Sequence, residues 1–151
     1  MRPLVEDTIA SLKSVQAGHH VIHTLETDVP SVAGDRGKLV QVLSNLLDNA
    51  AKYSPKGGTI TVSAYADEAR SRVVIGVRDE GTGIAEEDHE RVFETFQRVI
   101  AEETRDVPGT GLGLFLCKEL VQAMGGEIWL ESELGAGSTF SFSVPVWAPS
   151  R

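Results

Sequence analysis

The stretch NLLDNAAKY, residues 45–53, ends a segment whose hydrophobic residues repeat with the period of an α-helix. Counting outward from it, residues 35–53 carry apolar side chains three and four positions apart, at Leu39, Val42, Leu43, Leu46, Leu47 and Ala50. This spacing places them on one face of a helix, and we expect that face to be buried. The following residues SPKGG, 54–58, predict the end of the helix, because proline and glycine break helices.

The opposite face of this helix carries Gln41, Asn45, Asn49 and Lys52 within a narrow arc, and Tyr53 lies beside them. Asparagine is a weaker helix former than glutamate or lysine, so two asparagines one turn apart are unusual on a solvated face. Amide oxygens suit a hard cation such as Mg²⁺, and a lysine supplies a point charge for phosphate. Taken alone, the stripe still favours an ordinary solvated face.

A glycine-containing segment, DEGTGI at residues 79–84, follows a predicted strand in which Val73, Ile75 and Val77 share one face. Asp79 lies two residues after Val77 and so shares the same face of the strand. We therefore expect its carboxylate to point toward the core. Burial there is costly unless the carboxylate meets a hydrogen-bond donor, and the exocyclic amine of adenine is one such donor. A strand-ending turn with a surface aspartate is the alternative, and the inward parity argues against it.

A second glycine-rich segment, GTGLGL at residues 109–114, stands directly before an apolar helix. Free N–H groups at a helix N-terminus favour an anion. The segment is not a P-loop, because no G-x-x-x-x-G-K-[ST] occurs, and it does not follow a strand as the dinucleotide fingerprint does. A simple linker into a helix is the alternative, and each glycine segment alone is a weak indication.

The remaining periodicity predicts an α+β fold in which helices form a layer on a largely antiparallel sheet. The predicted helices span residues 3–16, 35–53, 86–93 and 112–124, the third of them short and the last mostly buried. The predicted strands span residues 21–29, 59–64, 72–78, 127–133 and 138–146, with an antiparallel hairpin formed by the second and third. Residues 97–108 are polar and weakly periodic, so we expect a mobile loop there.

Length and charge narrow the class of function. The 151 residues fit one globular domain, and a net charge of −8 argues against a nucleic-acid or membrane-surface binder. A phosphate ligand remains compatible, because backbone N–H groups can hold it locally. The single cysteine, Cys117, favours a reducing compartment, and no secretory signal or ~20-residue apolar run is visible, so we expect a cytoplasmic location even if the parent protein is membrane-anchored.

Together, five motifs resemble the catalytic ATP-binding domain of sensor histidine kinases, within the superfamily that also contains gyrase, a heat-shock chaperone and MutL. They occur in the family order over about residues 21–146: the N box at 45–53, the first glycine box at 79–84, the Phe-x-x-Phe box at 93–96, the second glycine box at 109–114 and the closing motif GSTF at 137–140. The resemblance implies a two-layer α/β sandwich of the Bergerat type, with Mg-ATP held between the helices and one end of the sheet.

The resemblance also implies a role for each matching residue. Asn49 would take the magnesium and Asn45 would lie near the phosphates; Lys52 would contact phosphate, and Tyr53 would flank the ribose or base. Asp79 would accept a hydrogen bond from adenine, with Thr139 nearby through water. The glycine boxes would add Gly81, Gly83, Ile84, Gly109, Thr110, Gly111, Leu112, Gly113 and Leu114. Phe93 and Phe96 would hinge a lid over residues 97–108, and Arg98 would assist at the γ-phosphate.

The chain departs from the family in its histidines, which are His19, His20, His23 and His89. Only His89 precedes an acidic residue, Glu90, and it lies where the family has an ordinary helix. We therefore expect all four to be structural or solvated, and the phosphoacceptor histidine to lie on a separate dimerisation domain. Residues 1–18 would be a junction helix or linker remnant, residues 19–151 a monomeric catalytic domain, and a response regulator an indirect partner.

Two other functions remain open on the sequence. An anti-sigma factor serine kinase of the same superfamily would share most motifs, but the Asn-Ala-Ala-Lys-Tyr form and the Phe-x-x-Phe box favour the histidine kinase. A non-catalytic module that binds protein partners is the third candidate. Intact Asn49, Asp79 and glycine boxes argue against it.

Overall fold

A computed structural model describes residues 2–11, 19–26, 29–30, 32–52, 54, 57–89, 91–93 and 113–146. Within them, three helices accompany a five-stranded sheet of order β1-β2-β3-β5-β4. The helices are α1 (Arg2–Ser11), α2 (Arg36–Lys52) and α3 (Gly113–Ala123); the strands are β1 (His20–Leu25), β2 (Thr59–Asp67), β3 (Arg72–Asp79), β4 (Ile128–Ser132) and β5 (Ser138–Pro145). Among the described strands, only β1 and β2 pair in parallel. The predicted α+β fold with a mixed, largely antiparallel sheet is confirmed.

Helix α2 provides the centre of the core. Its six predicted apolar residues are all at most 3% exposed and pack with inward residues of the sheet such as Ile75 and Phe142. Each buried leucine, valine, isoleucine or phenylalanine side chain of this core stabilises the fold by roughly 1.5–3 kcal/mol. The other face of the sheet is rich in serine and threonine, including Ser63 and Ser141, which flank Gly76. The helices therefore cover one face of the sheet.

Two predicted helices differ from the structure. The single helix predicted over residues 86–93 is two separate 3₁₀ turns, Glu86–Asp88 and Arg91–Phe93. So short a segment cannot propagate an α-helix unaided, and its position depends on buried Ile84 and Phe93 at its ends. Helix α3 is amphipathic rather than mostly buried: Cys117 and Val121 face the core, whereas Leu116 is 37% exposed.

The chain reverses direction at the glycines after α3 and again between β4 and β5. The Gly125 N–H donates to Gln122 O and the Gly126 N–H to Val121 O, which is the Schellman pattern of a helix end. Strand β1 ends at Leu25, earlier than the predicted 29. No helix in the described ranges is long and apolar enough to span a membrane.

Helix α1 packs onto the same core. Leu4 and Val5 are buried with the residues of α2, and Arg36 Nη2 lies 3.3 Å from Asp7 Oδ2. On the side of β1, His23 Nε2 lies 3.6 Å from Glu6 Oε1. The division into residues 1–18 and 19–151 stays a prediction.

The directions of the elements place several chain ends together. Gly34, just before α2, lies against Met124 and Val144, so α2 begins beside the end of α3. The two helices are therefore antiparallel, and the end of α2 lies beside the start of α3. The end of β3 and the start of β5 meet at this same end of the sheet, where Asp79 pairs with Ser138. We call this region the motif end, because every described sequence motif reaches it.

Candidate functional site

Asp79 is a buried carboxylate at the motif end. It is 1% exposed and ends β3, the central strand, on the face covered by the helices, as its parity predicts. Its Oδ1 accepts hydrogen bonds from Gly81 N at 2.9 Å and Ser138 N at 3.3 Å. Its Oδ2 is buried and has no partner among the described residues. One oxygen is thus held by the backbone, and the other is left to accept a hydrogen bond.

The electrostatic environment of Asp79 is unusual for a carboxyl group. Burial raises its pKa from 3.8 to about 6, although the Gly81 and Ser138 N–H groups and nearby His19 act in the opposite direction. A buried acceptor with an unsatisfied lone pair costs free energy, so a donor supplied by a ligand would be favourable here. The arrangement therefore fits the recognition of a neutral N–H group.

Close backbone contacts hold the first glycine box against the turn between β4 and β5. Gly83 has a φ of +74°, and a Cβ added to it would lie 2.1 Å from Glu133 O. Gly137 has a φ of +86°, and its Cβ would lie 2.2 Å from Asp79 O. Gly135 N also donates to Thr82 O at 2.8 Å. Glycine is required at 83 and 137 because no side chain fits between these backbones.

The two asparagines of α2 differ in their contacts. Asn45 lies near the Cys117 thiol of α3, which donates to Val42 O at 3.8 Å. Burial raises the pKa of this thiol to about 12, although the Asn45 amide acts in the opposite direction. Asn49 instead has a buried Nδ2 with no partner in the described part of the chain. An amide can present either its nitrogen or its oxygen after a flip. The uncommitted Asn49 amide therefore fits a ligand role, including that of a Mg²⁺ ligand.

His19, which lies just before β1, contacts the segment that follows α2. Its Nε2 lies 2.8 Å from Ser54 O, so Nε2 carries the proton in the neutral ring and donates it to that carbonyl. Ser54 is itself buried, and its hydroxyl donates to Ala50 O. The Nδ1 of His19 is buried without a partner among the residues described. His19 thus contacts the residue that follows α2, and it also lies close enough to Asp79 to act on the pKa of that carboxyl group.

Two further predicted residues, Phe93 and Leu114, are buried in the core. Phe93 meets Phe140 of β5 edge to face, with ring centroids 6.0 Å apart and an interplanar angle of 84°. Leu114, in the first turn of α3, is also buried. The Phe93 contact anchors the end of the 3₁₀ turn to the sheet.

The structure does not bring Thr139 to the site. Thr139 pairs with Arg78 and lies near Gly76 on the polar face of the sheet, opposite the helices. Its neighbour Ser138 is buried beside Asp79, so Ser138 is the residue that motif matching missed. Strand parity could have found it, because Ser138 shares the face of Phe140.

Several predicted residues lie outside the described residues. These are Tyr53, Phe96, Arg98, Gly109, Thr110, Gly111 and Leu112, together with the lid over 97–108 and the side chain of Lys52. Gly113 is the first residue of α3. The roles predicted for all of them stay predictions.

The histidines have contacts within the fold. His89 Nε2 donates to Ile84 O at 2.9 Å, and His20 is exposed at the start of β1. Among the residues described, no group of three or more His, Cys, Asp or Glu side chains is placed to hold a metal ion. A cation at the motif end would instead depend on amide, water and ligand oxygens.

Comparison with known proteins identifies the family of this chain. Residues 34–148 match the family described as histidine kinase-, DNA gyrase B-, and HSP90-like ATPase. The sensor histidine kinase WalK of Bacillus subtilis is 49% identical over 111 residues, which cover 74% of this chain and 18% of WalK. The adaptive-response sensory kinase SasA of Synechococcus elongatus is 43% identical over 120 residues, 80% of this chain and 30% of SasA. The chain thus spans less than a third of either relative.

Solved structures of histidine kinases share the fold. Full-length ShkA in complex with AMPPNP superposes with a TM-score of 0.81 at 29% identity, over 98% of this chain and 30% of ShkA. The nucleotide-free catalytic domain of ThkA gives 0.80 at 26% identity, over 96% and 91% of the two chains. This chain therefore belongs to the histidine kinase-, DNA gyrase B- and HSP90-like ATPase family and has the fold of a histidine kinase catalytic domain.

Proposed function

We propose that this chain binds Mg-ATP at the motif end and transfers the γ-phosphoryl group to a histidine on a separate dimerisation domain in two-component signalling. The observation that carries the proposal is the hydrogen bonding of Asp79. One carboxylate oxygen accepts from two backbone N–H groups, and the other is buried without a partner among the described residues. The exocyclic amine of adenine supplies the missing donor. Similarity to sensor kinases, and to ShkA in its AMPPNP complex, supports the same function.

The residues of the chain would bind and orient the nucleotide. Asp79 would accept a hydrogen bond from the exocyclic amine of adenine. Ser138, rather than Thr139, would lie beside Asp79 and near the base. Asn49 would hold the magnesium ion, which neutralises phosphate charge when bound, and Asn45 would lie near the phosphates. The start of α3 and its preceding glycines would offer N–H groups to the phosphates. Positioning and electrostatics supply most of the catalysis in phosphoryl transfer. These residues would therefore be adequate for phosphoryl transfer once a domain that carries the acceptor histidine docks.

The acceptor would come from outside this chain. His89 follows the first glycine box and donates its Nε2–H to the carbonyl oxygen of Ile84, the last residue of that box. Attack by this nitrogen would therefore require the contact to break. A histidine on a dimerisation domain has no such constraint. A response regulator would then receive the phosphoryl group, as in the sensor kinases that this chain resembles.

The decisive experiment mixes the chain with radiolabelled ATP, Mg²⁺ and a histidine-containing dimerisation domain of a similar sensor kinase. We expect label on the acceptor that is lost in acid, as a phosphoramidate is, and none that persists on this chain alone. Transfer should accelerate with acceptor concentration, because no covalent linker raises the effective concentration. Label on this chain that disappears in His89→Ala would contradict the proposal, as would failure to bind ATP.

A further inference from the structure

The hydroxyl of Ser132, the last residue of β4, bridges two of the motifs at the motif end although it belongs to neither. Its Oγ accepts a hydrogen bond from Ile84 N at 2.7 Å and donates to Gly137 O at 2.9 Å. It also lies 2.7 Å from Ser138 Oγ. A hydroxyl has one proton to donate, so the Ser138 hydroxyl is the donor in this last contact. Ser132 Oγ thus makes three hydrogen bonds and is saturated.

These bonds connect Ser132 to both segments whose backbone N–H groups donate to Asp79 Oδ1. The Gly81 N–H that holds Asp79 Oδ1 belongs to the segment that ends at Ile84. The other N–H belongs to Ser138 itself. Because Ile84 and Ser138 are both buried, removal of the Ser132 hydroxyl would leave polar groups of each segment without their partner. Both segments would shift to recover hydrogen bonds, and the carboxylate of Asp79 would turn with them.

We propose that Ser132 is a positioning residue for base recognition, which directs Asp79 Oδ2 toward a 6-amino group and so selects adenine over 6-oxopurines. The inference rests on the proposed nucleotide binding and adds the origin of its base specificity. A 6-oxo group would place one acceptor against another, so the selectivity depends on how firmly the carboxylate is held. A carboxylate that is free to turn would discriminate less between adenine and 6-oxopurines.

The test compares the dissociation constants of ADP and inosine diphosphate for the whole chain, since diphosphates avoid turnover. The unsubstituted chain should prefer ADP. Ser132→Ala should weaken ADP binding on the order of tenfold while inosine diphosphate binding changes little, so that the preference narrows. Ser132→Thr keeps the hydroxyl and should restore most of the preference.

Ser143→Ala is the matched control. The Ser143 hydroxyl of β5 lies at the opposite end of the sheet, where it accepts from Glu127 N, just before β4, at 3.2 Å and from Arg72 Nη1 of β3 at 3.4 Å. Its loss should lower the free energy of unfolding and leave the nucleotide preference unchanged. If Ser132→Ala does not fold, Ser132→Cys fills the site with a slightly larger, weaker hydrogen-bonding group and should also narrow the preference for ADP over inosine diphosphate.

The outcomes separate this inference from the proposed function. An unchanged preference in Ser132→Ala or Ser132→Cys would overturn the inference while nucleotide binding stands. An equal narrowing in Ser143→Ala would also overturn it, because general destabilisation would then be the cause. Failure of the unsubstituted chain to bind ADP would reject the proposed function itself, and the inference with it.

Discussion

Asp79 and Ser138 are register partners across β3 and β5, and the Ser138 N–H donates to Asp79 Oδ1 at 3.3 Å. In a regular antiparallel pair, the N–H groups serve backbone carbonyls alone. Here one N–H at the start of β5 holds a side chain instead, at the point where β3 ends. The pairing of the two strands therefore also orients the carboxylate of the candidate site.

Substitution of Asp79 should affect nucleotide binding much more than folding. Asp79→Asn retains an acceptor but removes the charge, and hydrogen bonds to charged groups contribute roughly 1.5–3 kcal/mol. We expect ADP affinity to fall by about that free energy in calorimetry, with little loss of thermal stability at neutral pH. Asp67→Asn, at the opposite end of the β2–β3 hairpin, is the control and should bind ADP normally. Normal binding by Asp79→Asn would refute the role of Asp79.

The pH dependence of stability should reveal the burial of Asp79. Its pKa is raised from 3.8 to about 6 in the folded protein, because burial disfavours the charged form. As the pH rises, the unfolded state therefore loses this proton before the folded state does. The protonated carboxyl group contributes its full share to the free energy of unfolding below about pH 3.8, and this contribution is lost as the pH rises through 6. The difference in thermal stability between the nucleotide-free protein and Asp79→Asn should follow this course. A difference independent of pH between 4 and 7 would contradict the raised pKa.

Nucleotide affinity should depend on magnesium through Asn49. Asn49→Ala removes the uncommitted amide, so we expect ATP affinity in Mg²⁺ to fall by about 1–3 kcal/mol, while affinity in a chelator stays near its original value. Gln41→Ala is a suitable control, since Gln41 is exposed two turns earlier on the same helix. An equal loss of affinity with and without Mg²⁺ would show that Asn49 acts on the nucleotide rather than on the metal.

Glycine is required at position 83 for space as well as for conformation. Gly83→Ala and Gly135→Ala both place a Cβ on a residue with positive φ, +74° and +84°. Only at Gly83 would that Cβ meet backbone, whereas nothing lies within 4 Å at Gly135. We expect Gly135→Ala to cost about 1 kcal/mol and Gly83→Ala clearly more, measured by urea unfolding. Equal costs would mean that the β4–β5 turn moves aside easily.

The local sequence pattern was sufficient to predict which side chains are buried wherever one face of a helix or strand is apolar and the other is not. The buried face of α2 and the inward direction of Asp79 both follow from the repeat distance of their own helix or strand. In the closing motif, strand alternation favours Ser138 rather than Thr139, because Ser138 lies on the same face of β5 as Phe140. The helix predicted over 86–93 failed for another reason: the segment is short, and contacts elsewhere in the chain determine its shape.

The sequence by itself determined the family, the α+β layers and the inward carboxylate of Asp79, because each depends on residue types at short, regular spacings. Only the tertiary structure decided which groups complete the site. Ser132 is 48 residues from Ile84, and His19 is 35 residues from Ser54, yet each pair shares a hydrogen bond. Such contacts arise when strands distant in the chain pair in one register, and hydrogen bonds form only over about 3 Å. No periodicity within a segment can encode that distance.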